Sequence, residues 1–256
     1  MYEQKGLEPA VTNVIKHYQQ NKTDEKLLLV IRDSLLKECI EHYGLQNATI
    51  INKDFFNSEN KGELLGLVVC GGQSTRMGTD KCFLNYHGKP QAYHLYEILQ
   101  QCCEQVFISC NQSQVSKFEA AYQTIVDDPE CENIGPMAAL MSAFKKYPEK
   151  SFLVVGCDYP FITRKDLMKL IVARDKNYFA ICYSKDQSIS EPLLCVYEKD
   201  VYPFLKNKFL QKKYSLRHFL EEVKTARIAG YPEIIKSIDT SQEYQVALKR
   251  IKQQTF

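Results

Sequence analysis

This sequence has no large excess of charge or of hydrophobicity. Its 256 residues hold 33 Lys and Arg against 31 Asp and Glu. No basic stripe of the kind that tracks nucleic acid is visible, so anion binding has to be local. No apolar run approaches the length of a membrane span, and the opening residues, MYEQKGLEPA, lack the basic–apolar–small pattern of a secretory leader. Together these absences predict a cytoplasmic chain with neither nucleic acid nor membrane as a partner. Ten cysteines are present, yet no two stand in a C-x-x-C pair, and several lie in apolar runs such as FISC and VVGC. They read as small buried thiols in a reducing compartment. Two phosphate-binding motifs are also missing. Gly88-Lys89 is followed by Pro90 and has no upstream glycine at the spacing an ATPase-type loop needs. Gly71, Gly72 and Gly78 do not fit the G-x-G-x-x-G dinucleotide fingerprint.

What is present instead is VVCGGQSTRMGTDK, residues 68–81. An apolar run stops at Gly71-Gly72, and the loop beyond carries Ser74, Arg76 and Gly78 before Asp80-Lys81. Glycines let backbone N–H groups approach phosphates closely. Arg76 and Lys81 supply fixed positive charge to oxygens that are costly to leave unpaired. A buried strand feeding such a loop is an arrangement for holding a polyphosphate.

From residue 63 onward the pattern alternates strand and helix. Strands are expected at 64–69, 105–110, 124–126, 151–157, 178–183 and 192–197, and helices after Pro90 and at 115–122, 135–147, 163–173, 215–223 and 241–252. Thr163, with Asp166 three residues on, reads as a capping-box variant. Helical crossovers between strands imply a three-layer α/β/α fold with a mostly parallel central sheet, whose ligands sit beyond the C-terminal strand ends. The glycine loop falls at such an end. Residues 1–62 form a separate N-terminal extension, with strands expected at 27–31 and 48–52 and helices at 10–20 and 32–43, and carry no chemical motif. Its role stays open between an extra βαβ unit, a docking appendage and part of another module. The domain proper is expected over 63–256.

The pattern G-G-x-S-x-R-M-G-x-D-K, read from Gly71 to Lys81, resembles the signature of nucleotidyltransferases with a GT-A-like fold, and within them the molybdenum cofactor guanylyltransferases. Four further places extend the resemblance. Asn111 ends the second strand as CNQ, where the family has Ala-Asn-Arg, so Gln112 replaces a cation. A turn asparagine capping its own backbone reads the same way. Asp128, in Asp127-Asp128, stands seven residues before Gly135-Pro136, at the offset of the family's nucleotide-binding Asp. Two adjacent loop carboxylates are otherwise simply solvated. Asp158 in CDYPF matches the family's metal-binding Asp, and a carboxylate at the end of an apolar strand is rigidly placed for a divalent ion. Glu191-Pro192 replaces the usual His-Pro, and Asp239-Thr240 replaces Asn-Thr before the last helix.

The resemblance implies an enzyme that transfers GMP from GTP to molybdopterin or its molybdenum complex and releases pyrophosphate. It implies Mg²⁺, or Mn²⁺ in its place, on Asp158, and protein partners in cofactor assembly. Arg76, Lys81 and Asp158 are the catalytic set it points to. Val69, Cys70, Gly71, Gly72, Lys81, Asn111, Asp128 and Asp158 are the nucleotide-binding set. The change of Asn to Asp at 239 adds a second candidate metal carboxylate. A carboxylate reading the N–H edge of guanine favours GTP over CTP. A cytidylyltransferase, a sugar-phosphate nucleotidyltransferase and a non-catalytic nucleotide-binding regulator are the competing readings. No role is assigned to the five histidines.

Overall fold

The computed structural model describes residues 28–31, 49–52, 63–70, 80–186 and 188–254. The chain divides into two compact units, Met1–Asn60 and Lys61–Phe256. In the first, β1 (Leu28–Ile31) and β2 (Thr49–Asn52) pair in parallel, Leu28 opposite Thr49 and Ile31 opposite Asn52. Parallel neighbours require a crossover between them. The helices expected at 10–20 and 32–43 lie outside the described residues.

In the second unit the described elements are β3 (Leu64–Val69), α1 (Gln91–Gln100), β4 (Val106–Cys110), β5 (Thr124–Val126), α2 (Pro136–Lys146), β6 (Ser151–Gly156), α3 (Arg164–Val172), β7 (Ala180–Lys185), β8 (Ile189–Tyr197), α4 (Tyr202–Leu210), α5 (Leu216–Glu222), β9 (Thr225–Ala229) and α6 (Ser241–Gln254). The strands form one sheet in the order β5-β4-β3-β6-β8-β7-β9. Within it only β8 runs against its neighbours. The sheet is therefore mostly parallel, as expected.

Strand alternation builds a core on each face. Leu65, Leu67, Phe152 and Val154 pack with Met137, Leu140 and Phe144 of α2 and with Phe219 of α5. Val68, Ile108, Leu153 and Val155 pack on the other face with Leu95 and Leu99 of α1 and Leu167 of α3. The result is three layers. The chain leaves β3 toward β4 and β5 and then returns to place β6 on the other side of β3, so the switch point of the sheet lies between β3 and β6.

Three stretches differ from expectation. Residues 115–122 hold only a 3₁₀ turn, Val115–Lys117. The backbone N–H of Glu119 donates to the Tyr93 hydroxyl at 3.0 Å instead of a helical carbonyl, and Tyr122 stacks on Tyr93 at 3.8 Å. Tertiary aromatic packing has overridden the local helical pattern. Helix α4 and strand β9 were not anticipated. Leu205 is the one fully buried residue of α4, and every residue of β9 is at least partly exposed, so neither carries a strong apolar period. The α3 cap matches its sequence. Thr163 Oγ1 accepts from the Asp166 N–H, and the Asp166 carboxylate accepts from the Thr163 N–H.

A buried ion pair lies where β6 begins and β8 ends. Arg174 donates from Nε and Nη2 to Glu198 at 2.8 and 2.7 Å, and Ser151 Oγ donates to the same carboxylate at 2.7 Å. Arg174→Leu strands a buried carboxylate and is expected to cost about 3–5 kcal/mol in urea unfolding. A loss below ~1 kcal/mol would show that the pair is not structural.

Candidate active site

The site begins at the last rung of the β3–β6 ladder. Val69 lies opposite Gly156, the Cys157 N–H donates to the Val69 carbonyl at 3.2 Å, and the Cys70 N–H donates to the Ser109 carbonyl at 3.1 Å. The root of the glycine loop is thereby held between the ends of β4 and β6. Gly71, Gly72, Ser74, Arg76 and Gly78 themselves lie outside the described residues. The Val69 side chain points into the core, and the buried thiols of Cys70 and Cys157 meet at 3.5 Å. All nine described cysteines are free thiols.

Asp158 stands two residues past the end of β6. Its Oδ1 is buried, and no hydrogen-bond partner reaches it among the described residues. Burial pushes its carboxyl up to about 6, the Lys81 ammonium draws it back, and Asp239 and Glu191 push it up again. Such a group fits a bound cation, which supplies the partner the protein does not. Gly156 makes room for it, since a Cβ there would lie 2.4 Å from Asp158 Oδ1 and 3.0 Å from Leu193. All-oxygen donors of this kind suit Mg²⁺ or Mn²⁺.

Lys81 opens a 3₁₀ turn, Lys81–Phe83, and donates to Asp239 Oδ1 at 2.5 Å. Asp239 is brought there by two devices. The Ile238 N–H donates to the Asp158 carbonyl at 2.9 Å. Thr240 and Glu243 form a reciprocal cap at the start of α6, Thr240 Oγ1 accepting from the Glu243 N–H and Glu243 accepting from the Thr240 N–H. Lys81, Asp158 and Asp239 thus converge. Half the Asp239 side chain faces solvent, so the ion pair contributes at most about 1 kcal/mol. An incoming polyphosphate can displace it.

Beside this cluster lies a cleft of about 680 Å³ whose lining includes the polar side chains of Asp80, Asn111, Gln114, Asp127 and Glu132, along with Gly135. Gly135 caps α2 at φ +67°, a conformation open to glycine. Asn111 reaches the cleft while capping its own turn, its Oδ1 accepting from the Gln114 N–H at 3.0 Å and from Ser113 Oγ at 2.7 Å. The two adjacent aspartates separate. Asp127 faces the cleft and accepts from Ser109 Oγ at 3.0 Å, with burial pushing its carboxyl up to about 6 against that hydrogen bond. Asp128 accepts from Lys145 Nζ at 2.5 Å and from the Glu130 N–H at 3.0 Å, outside the residues lining the cleft.

Further residues pack around these groups, of which only Glu191 carried a sequence signal. Glu191 accepts from the Tyr159 hydroxyl at 2.9 Å, with Arg217 at 3.9 Å, on the Asp158 side of the site. His87 Nε2 donates to the Pro160 carbonyl at 2.9 Å, pinning the turn after Asp158. His94 stacks on His87 at 3.7 Å and is pushed down to about 4 by burial and by that neighbour. Gln114, a buried residue of the cleft wall, completes the set.

Residues 66–228 match the MobA-like NTP transferase domain. A molybdenum cofactor biosynthesis bifunctional protein from Synechocystis is 35% identical over 156 residues, 60% of this chain and 44% of that protein. The chain therefore spans less than half the length of that relative. A probable molybdenum cofactor guanylyltransferase from Bacillus velezensis is 27% identical over 201 residues, 73% of this chain and 96% of the relative. The crystal structure of molybdopterin-guanine dinucleotide biosynthesis protein A from Archaeoglobus fulgidus shares the fold, with a TM-score of 0.61 at 21% identity over 74% of this chain and 99% of that one. Among the described residues no helix is long and apolar enough to cross a membrane.

The raised Asp158 carboxyl makes a stability prediction. Its protonated form is favoured by the fold, so the associated stability is present in full below the ordinary value of 3.8 and is lost as pH rises through about 6. A displacement of that size corresponds to roughly 3 kcal/mol. Asp158→Asn, measured without nucleotide or metal, should therefore raise Tm at pH 8, with the gain shrinking as pH falls below 6. An unchanged or lowered Tm at pH 8 would contradict a carboxyl whose Oδ1 is buried with no donor among the described residues.

Proposed function

Because the chain belongs to the MobA-like NTP transferase family, we propose that it transfers GMP from GTP to molybdopterin or its molybdenum complex. Pyrophosphate leaves and a guanine dinucleotide cofactor forms. The observation that carries this reading is the convergence of Lys81, Asp158 and Asp239 at the β3–β6 switch point, next to a cleft of about 680 Å³.

The protein's work is alignment and charge placement. Lys81 leaves Asp239 to hold the β and γ phosphates, together with Arg76 and the backbone of the glycine loop. The acceptor phosphate is already ionised near neutral pH, so it attacks the α phosphorus without a protein base, and no covalent enzyme intermediate forms. Asp158, with Asp239 released from Lys81, would hold a divalent ion, and Mg²⁺ (or Mn²⁺) there would supply charge neutralisation to the phosphates. Asn111 frames the nucleoside. Of the two adjacent carboxylates, Asp127 is the one that faces the cleft, and a carboxylate accepts from the N1–H and N2–H₂ of guanine, a donor pair cytosine lacks.

Incubation with GTP or CTP, molybdopterin and Mg²⁺ should release pyrophosphate with GTP. Release with CTP, or with a sugar phosphate as acceptor, would identify the wrong substrate. Tight GTP binding with no turnover would identify a regulator. Lys81→Ala should lower turnover roughly ten- to a hundred-fold with little change in Tm. Asp239→Asn should weaken Mn²⁺ binding in the nucleotide complex, read by electron paramagnetic resonance. An unchanged Mn²⁺ affinity would remove Asp239 from the metal site.

A further inference from the structure

We propose that Gln114 is a positioning residue, a buried strut that holds the phosphate-gripping end of the site at a fixed distance from its nucleoside end; this rests on the functional reading above. Gln114 is only 3% exposed. Its Oε1 accepts from the Asn111 N–H at 3.0 Å, and its Nε2 donates to Asp80 Oδ1 at 3.1 Å. The amide has one admissible orientation, because an N–H only donates and an ionised carboxylate only accepts. Asn111 returns the contact, its Oδ1 accepting from the Gln114 N–H at 3.0 Å. Gln114 and Asn111 therefore form a mutual clasp, and the far end of that clasp is fastened to Asp80.

The two ends belong to different parts of the chemistry. Asn111 closes β4 and lines the cleft. Asp80 also lines the cleft, immediately precedes Lys81, and caps the turn that Lys81 opens, its carbonyl accepting from the Phe83 N–H at 3.0 Å. Lys117 Nζ lies 3.4 Å from the other Asp80 oxygen, on the exposed side. An amide buried this far is costly unless both of its polar atoms are bonded, and both are bonded to active-site segments. Gln114 thus sets where Lys81 stands relative to a bound nucleoside.

Gln114→Glu tests this directly. A glutamate keeps an acceptor for the Asn111 N–H but presents its second oxygen to the Asp80 carboxylate, so the strut is broken at the phosphate end only. Calorimetry should show Mg-GTP affinity falling roughly ten- to a hundred-fold, with GMP affinity changed less than about twofold. Asp80→Asn added to Gln114→Glu restores a donor facing an acceptor, and Mg-GTP affinity should return to that of Asp80→Asn alone. Should Gln114→Glu fail to fold, Asp80→Ala leaves the clasp with Asn111 intact and is expected to give the same selective loss. Equal losses for GTP and GMP, or a double variant no better than Gln114→Glu, would overturn the strut. Normal wild-type binding with unaffected variants would overturn it alone, whereas a wild-type chain that binds no Mg-GTP would overturn the functional reading and the strut together.

Discussion

Strands β3 and β6 run side by side from Leu64 opposite Ser151 to Val69 opposite Gly156, and the chemistry of the molecule hangs from that final rung. Both strands are apolar along nearly their whole length because both sheet faces are covered. The pairing therefore cannot slip without driving core residues of one face into the other. With the register fixed, the chain emerges from β3 at Cys70 and from β6 at Cys157, side by side, with Asp158 next along. Hydrophobic burial, which carries no chemical information of its own, has delivered the root of the glycine loop at Cys70 and the Asp158 carboxylate to one edge.

Around that edge the structure stores charge in pairs that a ligand can exchange. Lys81 leans on Asp239, while Asp158 is held with a buried oxygen for which no described residue provides a donor. Under the proposed function a metal-bound triphosphate would offer each of these groups a stronger partner, phosphate oxygens for the lysine and a cation for the carboxylates. The preorganisation is costly to the empty protein, in the sense that Asp158 is held in a setting that favours its neutral form. Such a cost is expected where a site is built for a ligand rather than for stability.

The parts readable in the sequence are those whose signal is local. The continuous apolar runs of β3 and β6, Pro90 before α1 and the Thr163–Asp166 cap each act within a few residues. Structure set by distant partners was not readable. The stretch 115–122 has a helical pattern, yet the Tyr93 hydroxyl takes the Glu119 N–H and the helix does not form. Strand β8 reads like any other strand, and its reversed direction depends on its partners alone. Spacing pointed to Asp158, Lys81 and Asp239, which the fold brings near one another; counting back from Gly135 pointed to Asp128, which Lys145 engages, while its neighbour Asp127 lines the cleft. Successive residues of an extended chain face opposite ways, so an offset of one decides which carboxylate lines the cleft. Gln114 gave no signal at all, because its importance lies in two partners, one of them 34 residues away.

The central claim is that the β3–β6 edge grips a metal-bound guanosine triphosphate. A crystal structure of the chain soaked with GTP and Mg²⁺ tests it most directly. The account predicts the metal on Asp158 Oδ1, Lys81 moved from Asp239 onto the phosphates, and the base in the cleft beside Asn111 and Asp127. A nucleotide seated elsewhere, or a metal held away from Asp158 with the Lys81–Asp239 pair intact, would contradict it.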